Sequence, residues 1–158
     1  MKTVLYTFDY ELFLGGKPFT SGEVESSLII PTNSILQLLS KHNIKNAIFF
    51  IDTMYLFRLI EVSEKFELAK KDLESIIHQM NQIVAEGHYV YPHIHPHWLD
   101  AIYLSEMNQW DLSDLNKYHF ESLSENERQF VFDESMKIVN LFFKSNNNSE
   151  IGFRAGGW

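Results

Sequence analysis

Gly87-His88-Tyr89-Val90-Tyr91-Pro92-His93-Ile94-His95-Pro96-His97-Trp98 holds four of the chain's seven histidines. Three of them, His93, His95 and His97, fall at alternate positions. Neutral imidazole is the commonest protein ligand for zinc and suits several other divalent metals. Two local geometries compete. In a fully extended segment, positions i and i+2 face the same way, and all three rings line one side. If the chain turns after His93, then His93 and His97 converge as an i, i+4 pair and His95 points elsewhere. Pro96 lacks an N–H and disfavours a regular ladder, which places a turn near 95–97. The plainer reading is a surface His-rich loop, or histidines hydrogen-bonded beside Trp98. His88 to Tyr91 reads as a strand that delivers the cluster at its end.

On either side of this stretch the same strand-then-polar-end pattern recurs. Val4 to Phe8 is an apolar and aromatic run that reads as a buried strand, ending in Asp9-Tyr10-Glu11. Leu12 to Ile30 contains Gly15-Gly16, Pro18 and Ser21-Gly22 and reads as a long loop. A helix is predicted from Pro31-Thr32-Asn33, with Ile35, Leu36, Leu38 and Leu39 as its apolar stripe and His42 near its end. Ala47 to Ile51 is the second buried strand, ending at Asp52, which is either a further site acid or the N-cap of the next helix. Thr53 to Glu86 reads as helix with one break, and Gly87 is the expected left-handed residue after it. His78 lies off the helical stripe and reads as surface. Residues 98–121 are irregular and aromatic, suiting either a lid or substrate loop or a minor core. Ser124-Glu125-Asn126-Glu127 matches a capping box, and a helix follows to about Lys144. Ile151-Gly152-Phe153 begins a fourth strand before Arg154-Ala155-Gly156-Gly157-Trp158. Strands alternating with helices predict a parallel α/β layout, sheet or barrel.

Composition narrows the partners. The chain has 158 residues, 45% hydrophobic and 22% charged, which suits one globular domain. A net charge of −8, with basic residues scattered, argues against a nucleic-acid or anionic-membrane surface. There is no cysteine, so a metal must be held by His, Asp or Glu. No apolar run approaches the ~18–20 residues needed to span a bilayer. An acid at Asp9 interrupts any signal-peptide core, so a cytoplasmic location is the expectation.

Strand ends in parallel α/β folds are where ligand and catalytic groups gather. Here they carry Asp9 and Glu11, then His93 to His97, then Arg154. Two histidines and a carboxylate make an open divalent-metal site with room for water. Such a metal polarises a carbonyl and lowers the pKa of water towards ~7. A second carboxylate can take the water's proton, and Arg154 can hold that carboxylate in place. Arg154 also fits a plain ion pair. Gly156-Gly157 would let the backbone approach a ligand closely.

At these residues the chain resembles the polysaccharide deacetylase family, the NodB-homology or carbohydrate esterase 4 superfamily. Tyr6-Thr7-Phe8-Asp9 resembles its first motif, Thr-Phe-Asp-Asp. Ala47 to Ile51 resembles its Ala-Thr-Phe-Phe strand. Glu86-Gly87-His88 through His97 resembles its Gly-His-Glu-Ile-Gly-x-His-[Ser/Thr]-x-x-His motif, and Gly152-Phe153-Arg154 its Phe-Arg motif. The variants Phe-Asp-Tyr-Glu-Leu-Phe, His-x-His-Pro-His-Trp and Arg-Ala-Gly-Gly-Trp look like the branch from lipopolysaccharide O-antigen and capsule biosynthesis loci.

The resemblance implies a parallel (β/α) barrel of the NodB type, incomplete at its C-terminus. Residues 1–158 would form one deacetylase-like domain, the N-terminal part of a longer pattern. The implied activity is metal-dependent hydrolysis of an N-acetyl group on a sugar or oligosaccharide, with Zn2+ as the metal and Co2+, Mn2+ or Ni2+ as substitutes. By motif position, His93 and His97 are the expected metal ligands. Asp9 is the expected general base and Arg154 the residue that orients it. The family's Asp ligand is replaced by Tyr10, which leaves Glu11 as the third ligand, with direct ligation by Asp9 as the alternative. His95 falls on a variable position and is set outside the metal's ligands. The later Leu-x-His motif, which supplies the family's general acid, has no counterpart in this chain, so the 158-residue polypeptide is expected to bind metal weakly and turn over poorly. Two other readings compete. One is a non-catalytic metal- or carbohydrate-binding module on the same fold. The other is an amidohydrolase, whose His-x-His resembles His93-Ile94-His95 but sits on a first strand.

Overall fold

The computed structural model describes residues 3–12, 23–142 and 152–156 of the chain. In chain order its elements are β1 (Thr7–Tyr10), α1 (Ile30–Lys41), β2 (Ile48–Asp52), α2 (Thr53–Ser63), α3 (Glu67–Ala85) and β3 (Tyr89–Ile94). There follow β4 (Ile102–Leu104), β5 (Gln109–Asp111), α4 (Glu125–Phe142) and β6 (Arg154–Ala155). The main sheet is parallel, in the order β1-β2-β3-β6, and curls into a half-barrel. Each crossover therefore steps one strand further in the same direction. Right-handed crossovers of that kind leave the helices on one face of the sheet. The result is a mixed α/β architecture with a helix-covered convex face and an opposite, concave one.

Strand alternation sorts the side chains between those faces. Phe49, Ile51, Val90 and Ile94 are each 1% exposed or less and form the convex layer. Met54, Leu56 and Leu59 of α2, Ile76, Met80 and Ile83 of α3, and Val131, Ile138 and Val139 of α4 belong to the same core. Burying a Leu, Ile, Val, Phe or Met side chain contributes about 1.5–3 kcal/mol, so this layer fixes the sheet and, with it, the strand ends. The other set of alternating positions, including Asp9, Phe50, Asp52, Tyr91, His93 and Arg154, shares the concave face through the registers Asp9↔Phe50, Phe50↔Tyr91, Asp52↔His93 and His93↔Arg154.

Several local expectations hold. Asp52 caps α2, its Oδ1 accepting from the Tyr55 N–H at 3.1 Å. Gly87 has φ +87° just past α3. The expected break falls between α2 and α3, where the Lys65 and Phe66 N–H groups both donate to the Val62 carbonyl. His42 is the C-cap of α1, and His78 is exposed. At α4, the Ser124 N–H donates to Glu127 Oε2 at 2.9 Å and the Glu127 N–H to Ser124 Oγ at 3.3 Å, a reciprocal cap. Ser124→Ala is expected to cost about 1 kcal/mol, read as a lower midpoint in chemical denaturation.

Other boundaries differ. The first strand is Thr7–Tyr10, not Val4–Phe8, and Val4 and Leu5 are 70% and 63% exposed. Pairing decides this: β2 begins opposite Thr7, so residues 4–6 run ahead of the sheet. Helical structure begins near Val24, inside the stretch read as loop, because Val24 and Leu28 are buried one turn apart and lead through Glu25–Ile29 into α1. The remainder of that loop, 13–22, lies outside the described residues, as do residues 143–151. The last strand is Arg154–Ala155. β3 runs through Pro92 to Ile94 instead of stopping at Tyr91. The Tyr89 N–H donates to Ala47 on the β2 side, and the Ile94 carbonyl accepts from Gly156 on the β6 side. Alternation then points Pro92 towards β6, whose pairing starts one residue later, at His93↔Arg154. The missing N–H forfeits no ladder bond.

Candidate metal centre

Because all four strands run parallel, Asp9, Asp52, His93 and Arg154 arrive at one edge of the half-barrel. Glu11 follows β1 and His95 follows β3, each two residues beyond a concave-face position. Glu11 Oε2 lies 2.5 Å from His95 Nε2 and 3.1 Å from His93 Nε2, and the two ring nitrogens are 2.9 Å apart. These three residues are the described group whose ligand atoms converge closely enough to hold a metal ion.

His93 is fixed for that role by its neighbours. It is 3% exposed, and its Nδ1–H donates to the Arg154 carbonyl at 3.0 Å. That bond selects the tautomer with a lone pair on Nε2, the support that metal-bound histidines commonly have. The Thr53 hydroxyl lies 3.0 Å from the His93 carbonyl. The ring of His95 packs on the backbone of Gly156. A Cβ at that glycine would come within 2.5 Å of the imidazole, so glycine there is a requirement of close approach. Two ring nitrogens and a carboxylate oxygen this close need a cation or proton between them. The donor set, two neutral imidazoles and one carboxylate, suits a divalent ion such as zinc and leaves coordination positions open.

The electrostatics fit this arrangement. Burial by itself raises the Glu11 carboxyl, but hydrogen bonds from His93 and His95 hold it well below the usual carboxylate range. Burial draws His95 down, yet the Glu11 contact and the charges of Asp52, Glu11 and Asp9 raise it on balance. In the metal-free chain, depressed Glu11 contributes stability above its ordinary value of 4.5 and loses it in acid. Raised His95 contributes below 6.5 and loses that contribution as pH climbs past its raised value. Metal must displace the His95 proton. The zinc-induced rise in melting temperature is therefore expected to grow from about pH 5.5 to about pH 8, read by thermal unfolding with and without zinc.

The other sequence-predicted residues divide. Asp9 is bonded to Arg154 Nη1, and Arg154 Nη2 donates to Thr7 Oγ1 at 3.1 Å. The Arg154 guanidinium sits 4.1 Å above the Phe50 ring, a cation–π contact that further fixes it. Arg154 thus holds Asp9 with its side chain and His93 with its backbone. Tyr10 faces the opposite way: it is 3% exposed, and its hydroxyl donates to Gln79 Oε1 of α3 at 2.8 Å. Strand alternation keeps it from the centre. Asp52 stays a structural cap. Besides the Tyr55 N–H, it accepts from Trp98 Nε1 at 2.5 Å, and burial pushes it up to about 6.

His97, expected as a ligand, lies outside the converging set, and His95, set aside by motif position, is inside it. The reason is where the turn falls. The chain stays extended through His95 and enters a 3-10 turn only at Pro96–Asp100, so i, i+2 applies and i, i+4 does not. The pleat alternation of 93 and 95 was the signal that could have found this. A pocket of about 230 Å³ adjoins the centre, lined by Glu11, Leu12, Asp52, His95, His97, Trp98 and Tyr118. Trp98 and Trp110 are 1% and 2% exposed and pack edge-on at 5.6 Å, so these two rings belong to the core, and Trp98 and Tyr118 are what the aromatic segment contributes to the pocket wall.

No family model, no curated protein and no solved structure matches the chain. No helix among the described residues is long and apolar enough to cross a membrane.

Proposed function

We propose that this chain is a metal-dependent hydrolase that removes N-acetyl groups from a sugar during surface-polysaccharide (O-antigen or capsule) assembly, on an incomplete (β/α) barrel of the polysaccharide deacetylase, or NodB, type. The observation that carries the reading is the convergence of Glu11, His93 and His95 at the sheet edge that also presents the Asp9–Arg154 pair. Glu11, His93 and His95 would hold the ion, with zinc the first choice on donor type. A divalent ion held there would supply Lewis-acid polarisation of the acetyl carbonyl and acidify water.

The chain's own residues supply the attack; no described residue is assigned to protonate the departing amine, which takes its proton from water, so slow turnover is expected. Asp9 accepts the proton lost by the attacking water. Arg154, anchored by Thr7 and the Phe50 ring, keeps the Asp9 carboxylate aimed from β1. The pocket beside the ion receives the acyl end of the substrate, and buried Trp98 and Leu12 on its wall limit water there. A cytoplasmic, precursor-level sugar is the substrate we favour; separately, a net charge of −8 disfavours nucleic-acid and anionic-membrane partners.

The test is acetate release from N-acetylated sugars and nucleotide-activated N-acetyl sugars. The reading expects slow release with zinc or cobalt, none after chelation, and recovery on adding metal back; robust release would overturn the expectation of poor turnover. Metal uptake without acetate release from any such sugar would favour the non-catalytic binding module instead.

A further inference from the structure

His97 and Asp52 are the buried polar side chains of the pocket outside the metal set, and Asp52 is satisfied by the Tyr55 N–H and Trp98 Nε1. His97 is 2% exposed, and neither Nδ1 nor Nε2 has a hydrogen-bond partner among the described residues. Leaving a buried imidazole unpartnered costs the desolvation of its polar atoms, so such groups call for an explanation. The ring is not free to seek one. It stacks on Tyr118 at 5.6 Å with 20° between planes and lies against Trp98 at 5.4 Å. It lines the same pocket as Glu11 and His95, with the ring centroids of His95 and His97 5.2 Å apart. An imidazole carries at least one N–H donor in either protonation state.

We propose that His97 is a substrate-contacting residue that donates a hydrogen bond to the acyl oxygen of the bound ligand, and is not a metal ligand. The inference rests on the metal-site reading above and extends it to ligand recognition. A carbonyl or carboxylate oxygen is the acceptor that a fixed N–H beside a cation recognises. Stacking between Tyr118 and Trp98 holds the donor ready, so binding sacrifices little side-chain freedom. Histidines two apart in sequence thus do different work. His95 ends the extended strand and faces the ion, whereas His97, past Pro96, faces the ligand.

The experiment uses the Co2+-loaded protein and acetate as the probe. Cobalt affinity and acetate affinity are both read from the visible Co2+ spectrum, in wild type, His97→Phe, His97→Gln and His95→Phe. Phenylalanine fills the volume and keeps the stacking, and glutamine restores an N–H donor. His97→Phe is expected to hold cobalt within about threefold of wild type and to bind acetate about tenfold or more weakly, as for a lost hydrogen bond to a charged group. His97→Gln should recover part of that acetate affinity, and His95→Phe should lose cobalt. The proposal is overturned if His97→Phe and His97→Gln lose cobalt as His95→Phe does, which would make His97 a ligand. It is equally overturned if acetate affinity is unchanged in His97→Phe. Failure of the wild type to take up cobalt is a separate result, and it sinks the metal reading itself.

Discussion

Replacing His93 by alanine is expected to lower zinc affinity at least about a hundredfold, beyond the ten- to hundredfold typical of losing a supporting residue. His93 supplies Nε2 to the converging set, and its Nδ1–H bond to the Arg154 carbonyl orients it. Removing the ring takes away a donor atom and its bond to that carbonyl. Glu11→Gln is the companion variant. It keeps the side chain's shape but removes the charge, and it should fall in the same class. Exposed His78→Ala is the control and should match wild type. The effect is also thermodynamic. Zinc at a thousand times its Kd stabilises a protein by about 4 kcal/mol when it binds the folded state alone. Wild type should therefore show a large zinc-dependent rise in melting temperature, and His93→Ala almost none. Equal zinc responses in both would mean the histidine cluster is not the metal centre.

The second large effect is kinetic. Asp9→Asn is expected to lower kcat by about 10²- to 10⁴-fold, the usual range for removing a general base. Zinc affinity should stay within a few-fold, because Asp9 is paired with Arg154 and lies outside the converging atoms. The two measurements separate the roles open to this carboxylate. A parallel loss of zinc affinity would make Asp9 a ligand, and an unchanged kcat would make it a structural ion pair. Arg154→Lys should lower kcat as well, since a lysine cannot reproduce the fork that holds both Asp9 and Thr7.

Much of this was legible in the sequence where a local rule acts alone. Asp52 before a helix, Gly87 after one and the Ser124–Glu127 box are one-turn chemistries, and they stand where the residues placed them. The parallel α/β layout followed from strands alternating with helices. What escaped depends on pairing partners or on elements too short to show a period. Val4 and Leu5 read as buried strand because their apolar character says nothing about where β2 begins. The hairpin β4–β5 has strands of three residues, too short for periodicity, and is held by Tyr103 and Trp110 packing at 5.1 Å. The choice between His95 and His97 turned on one register question, whether the strand ends before or after position 95. The residues 93–97 allow both answers, and pairing of His93 and Ile94 with Arg154 and Ala155 decides it. Tyr10 shows the opposite case. Strand alternation alone sends it to the convex face, where burial and Gln79 claim its hydroxyl.

Zinc-edge anomalous diffraction from crystals grown with zinc locates the ion directly. One strong peak is expected about 2.0–2.2 Å from His93 Nε2, His95 Nε2 and a Glu11 carboxylate oxygen, with His97 further off. A peak bonded to His97 in place of His95, or none at this edge of the sheet, would contradict this placement.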